Sequence, residues 1–147
     1  MASGAGSGAQ WVIDRYAAEI KAYCTRQARK WLIIVIDADH NTVQQRLHEL
    51  QRRLEEFDDQ RLRGFRAEAE QVARLVPKWS IETWILNLNG EIVDEDSSYK
   101  NEHRRWDELT QSASIELRDW VIVKADPPAR CTPSLKHGVS ELRRLSL

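Results

Sequence analysis

One short run constrains this chain more than any other feature: Trp31-Leu32-Ile33-Ile34-Val35-Ile36 is unbroken, apolar and largely β-branched, and it stops abruptly at Asp37. β-Branched side chains suit an extended, pleated backbone. A run this short falls far below the roughly 20 residues needed to cross a bilayer, and its lack of polar alternation points to burial on both faces. The expectation is a buried, central strand of a parallel sheet, covered by helices on either side.

Helical periodicity lies on both sides of that run. Trp11, Val12, Tyr16, Ile20 and Tyr23 recur at three- and four-residue steps, which predicts an amphipathic helix running to about Arg29. After Asp37-Ala38-Asp39-His40, Asn41 and Thr42 offer caps for a helix carrying Val43, Leu47, Leu50 and Leu54. The charged stretch Phe57 to Glu70, with Gly64 inside it, reads as a connection with a helical turn; its Arg61, Arg63 and Arg66 could touch a phosphate backbone, though such arginines are usually just solvated. Gln71 to Val76 is a second strand, halted by Pro77, which has no amide proton to offer a continuing central strand. Ser80 then caps a helix with Ile81, Trp84, Ile85 and Leu88, ended by Asn89-Gly90. The remainder is less regular: an acidic loop, Glu91 to Asp96, leads to Tyr99-Lys100, then a charged segment with Trp106, Leu109 and Leu117, and a break at Pro127-Pro128. A last amphipathic helix, Ser134 to about Leu145, sets Leu135, Val139, Leu142 and Leu145 on one side. Strand, loop and helix in repeated alternation give an α/β class with a short, mostly parallel sheet flanked by helices.

At 147 residues the chain is long enough for one hydrophobic core and short for two. Residues 1–9 are almost all Gly, Ala and Ser and read as a flexible lead; residues 10–147 form the single domain. The net charge of −1 means that binding to nucleic acid would need a local basic face. No apolar run reaches membrane-spanning length and no basic-then-apolar leader opens the chain, so the expectation is a cytoplasmic protein with no membrane partner. Cys24 and Cys131 lie far apart with no Cys-x-x-Cys spacing, and suggest inert thiols instead of a zinc site or a disulfide.

Chemistry concentrates where the first strand ends. In open α/β sheets, ligands are held at the carboxyl ends of strands, and Asp37 and Asp39 stand there. Carboxylates one residue apart on an extended backbone point the same way and can converge on one hard cation, for which magnesium or manganese is the natural occupant. The alternative is that either aspartate merely caps the next helix and complements its dipole. Glu82, in the first turn of the helix after the second strand, could bring a third carboxylate to the same sheet edge, or could simply complement the dipole there. Lys78 and Lys100 could pair with a phosphate or with the acids, though Lys100 is more often a plain surface lysine, and His40 could touch phosphate or assist a proton transfer, though a solvent-exposed loop histidine is the commoner case. The four histidines show no zinc-ligand spacing, and neither a Gly-x-x-x-x-Gly-Lys loop nor a Gly-x-Ser-x-Gly elbow is present.

These residues have a family likeness. Ile33-Ile34-Val35-Ile36-Asp37-Ala38-Asp39, then a helix, then Val76-Pro77-Lys78 through Ile81-Glu82-Thr83-Trp84-Ile85, resembles small bacterial Toprim-like proteins, over roughly Trp11 to Lys100. The resemblance implies the three-layer topoisomerase-primase fold, shared by topoisomerases, primases and nucleases of the overcoming-lysogenization-defect type. It implies that Asp37 and Asp39 bind magnesium for phosphoryl transfer on nucleic acid. The family's general acid/base is a glutamate of an earlier strand, and it has no counterpart here, since only the Gly/Ser lead precedes Trp11 and Glu19 belongs to a helix. The chain looks like the family pattern with its amino-terminal segment absent.

Three expectations follow. The first is a magnesium-dependent nuclease-like enzyme, with Glu82 substituting for the absent acid, in prokaryotic defence or mobile-element biology by family analogy. The second is a truncated or degenerate, inactive module that binds nucleic acid or a partner protein through the same sheet edge. The third is an incomplete fold, unstable alone because a strand edge is exposed. Of the tryptophans, Trp31, Trp84 and Trp120 are expected in the core, whereas Trp79 and Trp106 have polar neighbours and could stack on bases.

Overall fold

The computed structural model describes residues 7–26 and 30–147. Its elements in order are α1 (Ser7–Thr25), β1 (Leu32–Val35), α2 (Val43–Glu55), α3 (Gln60–Arg63), a 3-10 turn (Ala67–Ala69), β2 (Val72–Leu75), α4 (Ile81–Leu88), α5 (Trp106–Arg118), a π turn (Asp119–Val123) and α6 (Pro133–Arg143). α1 takes in Ser7, Gly8 and Ala9, which the sequence assigned to the lead; positions 1–6 of that lead, and the expected end of the helix at 27–29, lie outside the described residues.

The strands pair in parallel, Leu32 opposite Val72 and Val35 opposite Leu75. Because successive strand side chains point to opposite faces, β2 serves two cores: Val72 and Val76 pack with Ile20, Leu50, Leu54 and Phe65, whereas Ala73 and Leu75 pack with Trp84, Trp120, Leu135 and Val139. α1, α2 and α3 therefore cover one face and α4, α5 and α6 the other. This is a small α/β domain with helices on both faces of a short parallel sheet.

β1 is not the central strand expected of it. Among the described residues the sheet has two strands, so β1 is an edge, with Val35 45% and Trp31 51% exposed, and Trp31 is not in the core. An apolar run looks the same whether a second neighbour or only one lies beside it; β2, with Val72 to Leu75 all buried, is the more enclosed strand. Trp84 and Trp120 are core residues as expected.

Local signals explain most boundaries. Thr42 caps α2 through a reciprocal box: its hydroxyl accepts from the Gln45 N–H at 3.0 Å and the Gln45 side chain accepts from the Thr42 N–H at 2.8 Å. Asn89 and Gly90 end α4, Gly90 with the positive φ of 96° that this terminus requires. Ser80 stands at the N-cap of α4, but its hydroxyl makes no capping bond and is buried without a partner. The segment after Lys100, read as irregular, is the 13-residue helix α5 followed by the π turn.

Helix α6 meets α4 at the Trp84 side chain. The Trp84 indole Nε1 donates to the Ser134 hydroxyl at 2.8 Å, and Gly138 lies against the same ring, where a β-carbon would overlap it. Buried Asn87 ties α4 to two loops, donating to the Glu91 and Arg130 carbonyls, each at 3.0 Å, and accepting from the Thr132 N–H. Every polar atom of its amide is thus engaged, as burial requires.

Candidate functional site

Parallel pairing brings the carboxyl ends of both strands to one edge of the sheet, so the segments that leave them run side by side. Ile36, Ala38 and Asp39 donate their N–H groups to the carbonyls of Leu75, Pro77 and Trp79 at 3.0, 2.9 and 3.1 Å. Asp39 and Trp79 form an isolated bridge and both adopt left-handed backbone, φ 51° and 69°. That conformation costs a side-chain-bearing residue on the order of 1–2 kcal/mol, and such strain gathers at functional sites.

Arg46, on α2, anchors the first of these segments. It lies three residues after Val43 and four before Leu50, on the apolar stripe, and is buried accordingly. Its Nε donates to the Asp37 carbonyl at 3.1 Å and its Nη2 to the Ala38 carbonyl at 3.3 Å; Nη2 also lies 3.5 Å from Asp39 Oδ2, and Nη1 meets Glu49 at 2.6 Å. Sequence reading missed this residue; an arginine at a core position of an amphipathic helix was the signal.

The two aspartates face one cation. Lys100 Nζ lies 3.7 Å from Asp37 Oδ2 and 4.0 Å from Asp39 Oδ1. Burial pushes the Asp37 carboxyl above its ordinary pKa; Lys100 opposes that, the negative charges of Glu82 and Asp39 add to it, and the Ile81 N–H at the start of α4 opposes it weakly. Glu82 is thus near enough for its charge to bear on Asp37, and its Oε2 is buried without a hydrogen-bond partner. Among the described residues, no three His, Cys, Asp or Glu side chains gather into a metal cage.

The chain matches no known family model. No curated protein and no solved structure matches it either. The chemistry of the site therefore stands on its own atoms.

Of the other candidates, only Lys100 reaches the aspartates. Lys78 pairs with Asp96 at 3.4 Å and lies 5.9 Å from the centre of the Trp79 ring. His40 packs edge-on against that ring, centroids 4.4 Å apart, which sets an exposed imidazole beside Asp39. Trp79 is consequently held between His40 and Lys78, and Trp106 is tied to the Glu102 carbonyl through its indole N–H. Arg66 spends its guanidinium on the Arg63 and Phe65 carbonyls. Burial raises the pKa of both thiols, Cys24 and Cys131, which fits inert cysteines. No helix among the described residues is long and apolar enough to cross a membrane.

Proposed function

We propose that this chain is a magnesium- or manganese-dependent, Toprim-like phosphoryl-transfer domain that acts on nucleic acid as a cytoplasmic nuclease. The family analogy would place it in prokaryotic defence or mobile-element biology. The observation that carries the reading is Lys100: a positive charge already sits between Asp37 and Asp39 at the carboxyl ends of parallel strands.

The residues fit a hard divalent ion. Magnesium accepts one or two carboxylates and fills its other positions with water and phosphate oxygens, and Asp37 and Asp39 are both partly open to solvent. When bound there, the ion would neutralise charge on a phosphoryl group. Lys100, released from the aspartates, would offer its ammonium to the same phosphate. Glu82, whose Oε2 makes no hydrogen bond, would accept or return the proton.

A second reading has its own support. Buried Arg46 pairs with Asp39, as it would in an inactive module that binds nucleic acid or a partner protein.

Manganese calorimetry on the chain and on the Asp37→Asn, Asp39→Asn double variant, with a plasmid-nicking assay on the same samples, separates these. Binding and nicking lost together in the variant support the enzyme. Binding without nicking supports the inactive module, and absence of binding removes the metal centre.

A further inference from the structure

The two edges of the sheet are finished differently. Along the outer side of β2, Arg144 donates through Nη2 to the Val72 carbonyl and through Nη1 to the Glu70 carbonyl, and the Glu141 carboxylate accepts the Arg74 N–H at 3.3 Å. Side chains at the end of α6 thus occupy the groups a third strand would use. Among the described residues nothing comparable happens along the outer side of β1. The Leu32 and Ile36 N–H groups go to Gln71 and Leu75, so the alternation of a parallel ladder turns the polar groups of Ile33 and Val35 outward, and no hydrogen bond among the described residues meets them on that side. The usual guards of a free edge are also missing, because Trp31 to Ile36 contains no Lys, no Pro and no charge.

The surroundings of this edge are apolar and open. Trp11 is 62% exposed, and a groove of about 230 Å³ runs between β1 and α1, lined on the helix side by Trp11, Val12, Arg15, Tyr16 and Glu19. Its rim bears one charge of each sign on a single helix, Arg15 and Glu19, 3.1 Å apart and well exposed.

We propose that the outer edge of β1 pairs with the same edge of a second copy of this chain. The strands run antiparallel about a twofold axis normal to the sheet, and join two two-stranded sheets into one of four. The charge pattern selects this occupant. A twofold contact sets a patch against itself, residue i on j and j on i, and this symmetry lays the two α1 helices antiparallel on one face of the joined sheet. Arg15 of one copy then meets Glu19 of the other, twice. A rim of uniform charge would repel its own twin; this one is its own complement.

The test is the mass of the full chain by sedimentation equilibrium, from about 1 to 100 µM, a range that brackets micromolar association. A dimer is expected. Val35→Lys, at an exposed side chain on the pairing edge, is expected to raise the dimer dissociation constant by about tenfold or more, as a charge on a pairing edge does. Arg15→Glu should weaken it also, and the double exchange Arg15→Glu, Glu19→Arg should restore it, with circular dichroism confirming that each variant remains folded. A monomer throughout, or a dimer indifferent to all three variants, overturns the proposal, and so does a strand from a different protein that binds the monomer at this edge.

Discussion

Arg46 Nε donates to the carbonyl oxygen of Asp37 at 3.1 Å, from a guanidinium that is buried under the loop it holds. The position of both aspartates thus depends on a residue of the following helix. Replacing Arg46 by Met leaves the Asp37 and Ala38 carbonyls and the Glu49 carboxylate without their donor, and is expected to cost about 2–4 kcal/mol of stability. Urea unfolding measures the loss, and hydrogen exchange should quicken at Ala38 and Asp39. A variant as stable as the parent would mean that the loop holds itself.

The pH dependence of stability carries the sign of the Asp37 shift. Burial raises its carboxyl above the ordinary 3.8, so between 3.8 and the folded value the native chain binds the proton more readily than the unfolded chain does. Stability from this group is therefore greatest below 3.8 and is lost as pH rises through the folded value. Asp37→Asn is expected to exceed the parent in stability at pH 7 and to converge with it in acid. Urea midpoints across a pH series check this, and a variant less stable than the parent at neutral pH would contradict it.

Lys100 competes with any cation for the aspartates. Lys100→Met is expected to tighten manganese binding by roughly two- to fivefold, the return from an ion pair worth up to about 1 kcal/mol. Calorimetry reads it directly. Weaker binding in the variant would make the lysine a helper of the bound state.

Gly138→Ala tests the contact between α4 and α6. On an open helix surface the exchange would stabilise by up to about 1 kcal/mol. Here the new β-carbon meets the Trp84 ring, and a loss of about 1–3 kcal/mol is expected, typical of overpacking. Thermal melting with tryptophan emission follows both the stability and the displaced indole.

What the sequence disclosed depended on whether one residue or many carried the signal. The parallel strands, the Thr42 cap and the Asn89-Gly90 terminus were legible because periodicity and capping chemistry are local. α5 was not, because its apolar stripe is thin: Ala113 is its one buried residue, and the remaining helical preference is spread over charged positions. Trp31 misled because an apolar neighbourhood in sequence says nothing of how many strands stand beside it. At the site, Asp37, Asp39 and Lys100 were named and do come together, whereas Lys78 turns away to Asp96. Arg46 escaped because its partners are backbone carbonyls, which no side-chain motif records.

The sealing of β2 by α6 sets a timetable for folding. The bond from Arg144 to the Val72 carbonyl closes a separation of 72 residues, so as the chain leaves the ribosome that edge stays bare until α6 has been made and has docked. Contacts so distant in sequence form late, after the local helices, and a nascent chain would carry two unguarded edges until then. Arg144 at the end of α6 therefore acts as a latch on aggregation during biogenesis, and removing its side chain would show first as a lower yield of folded protein.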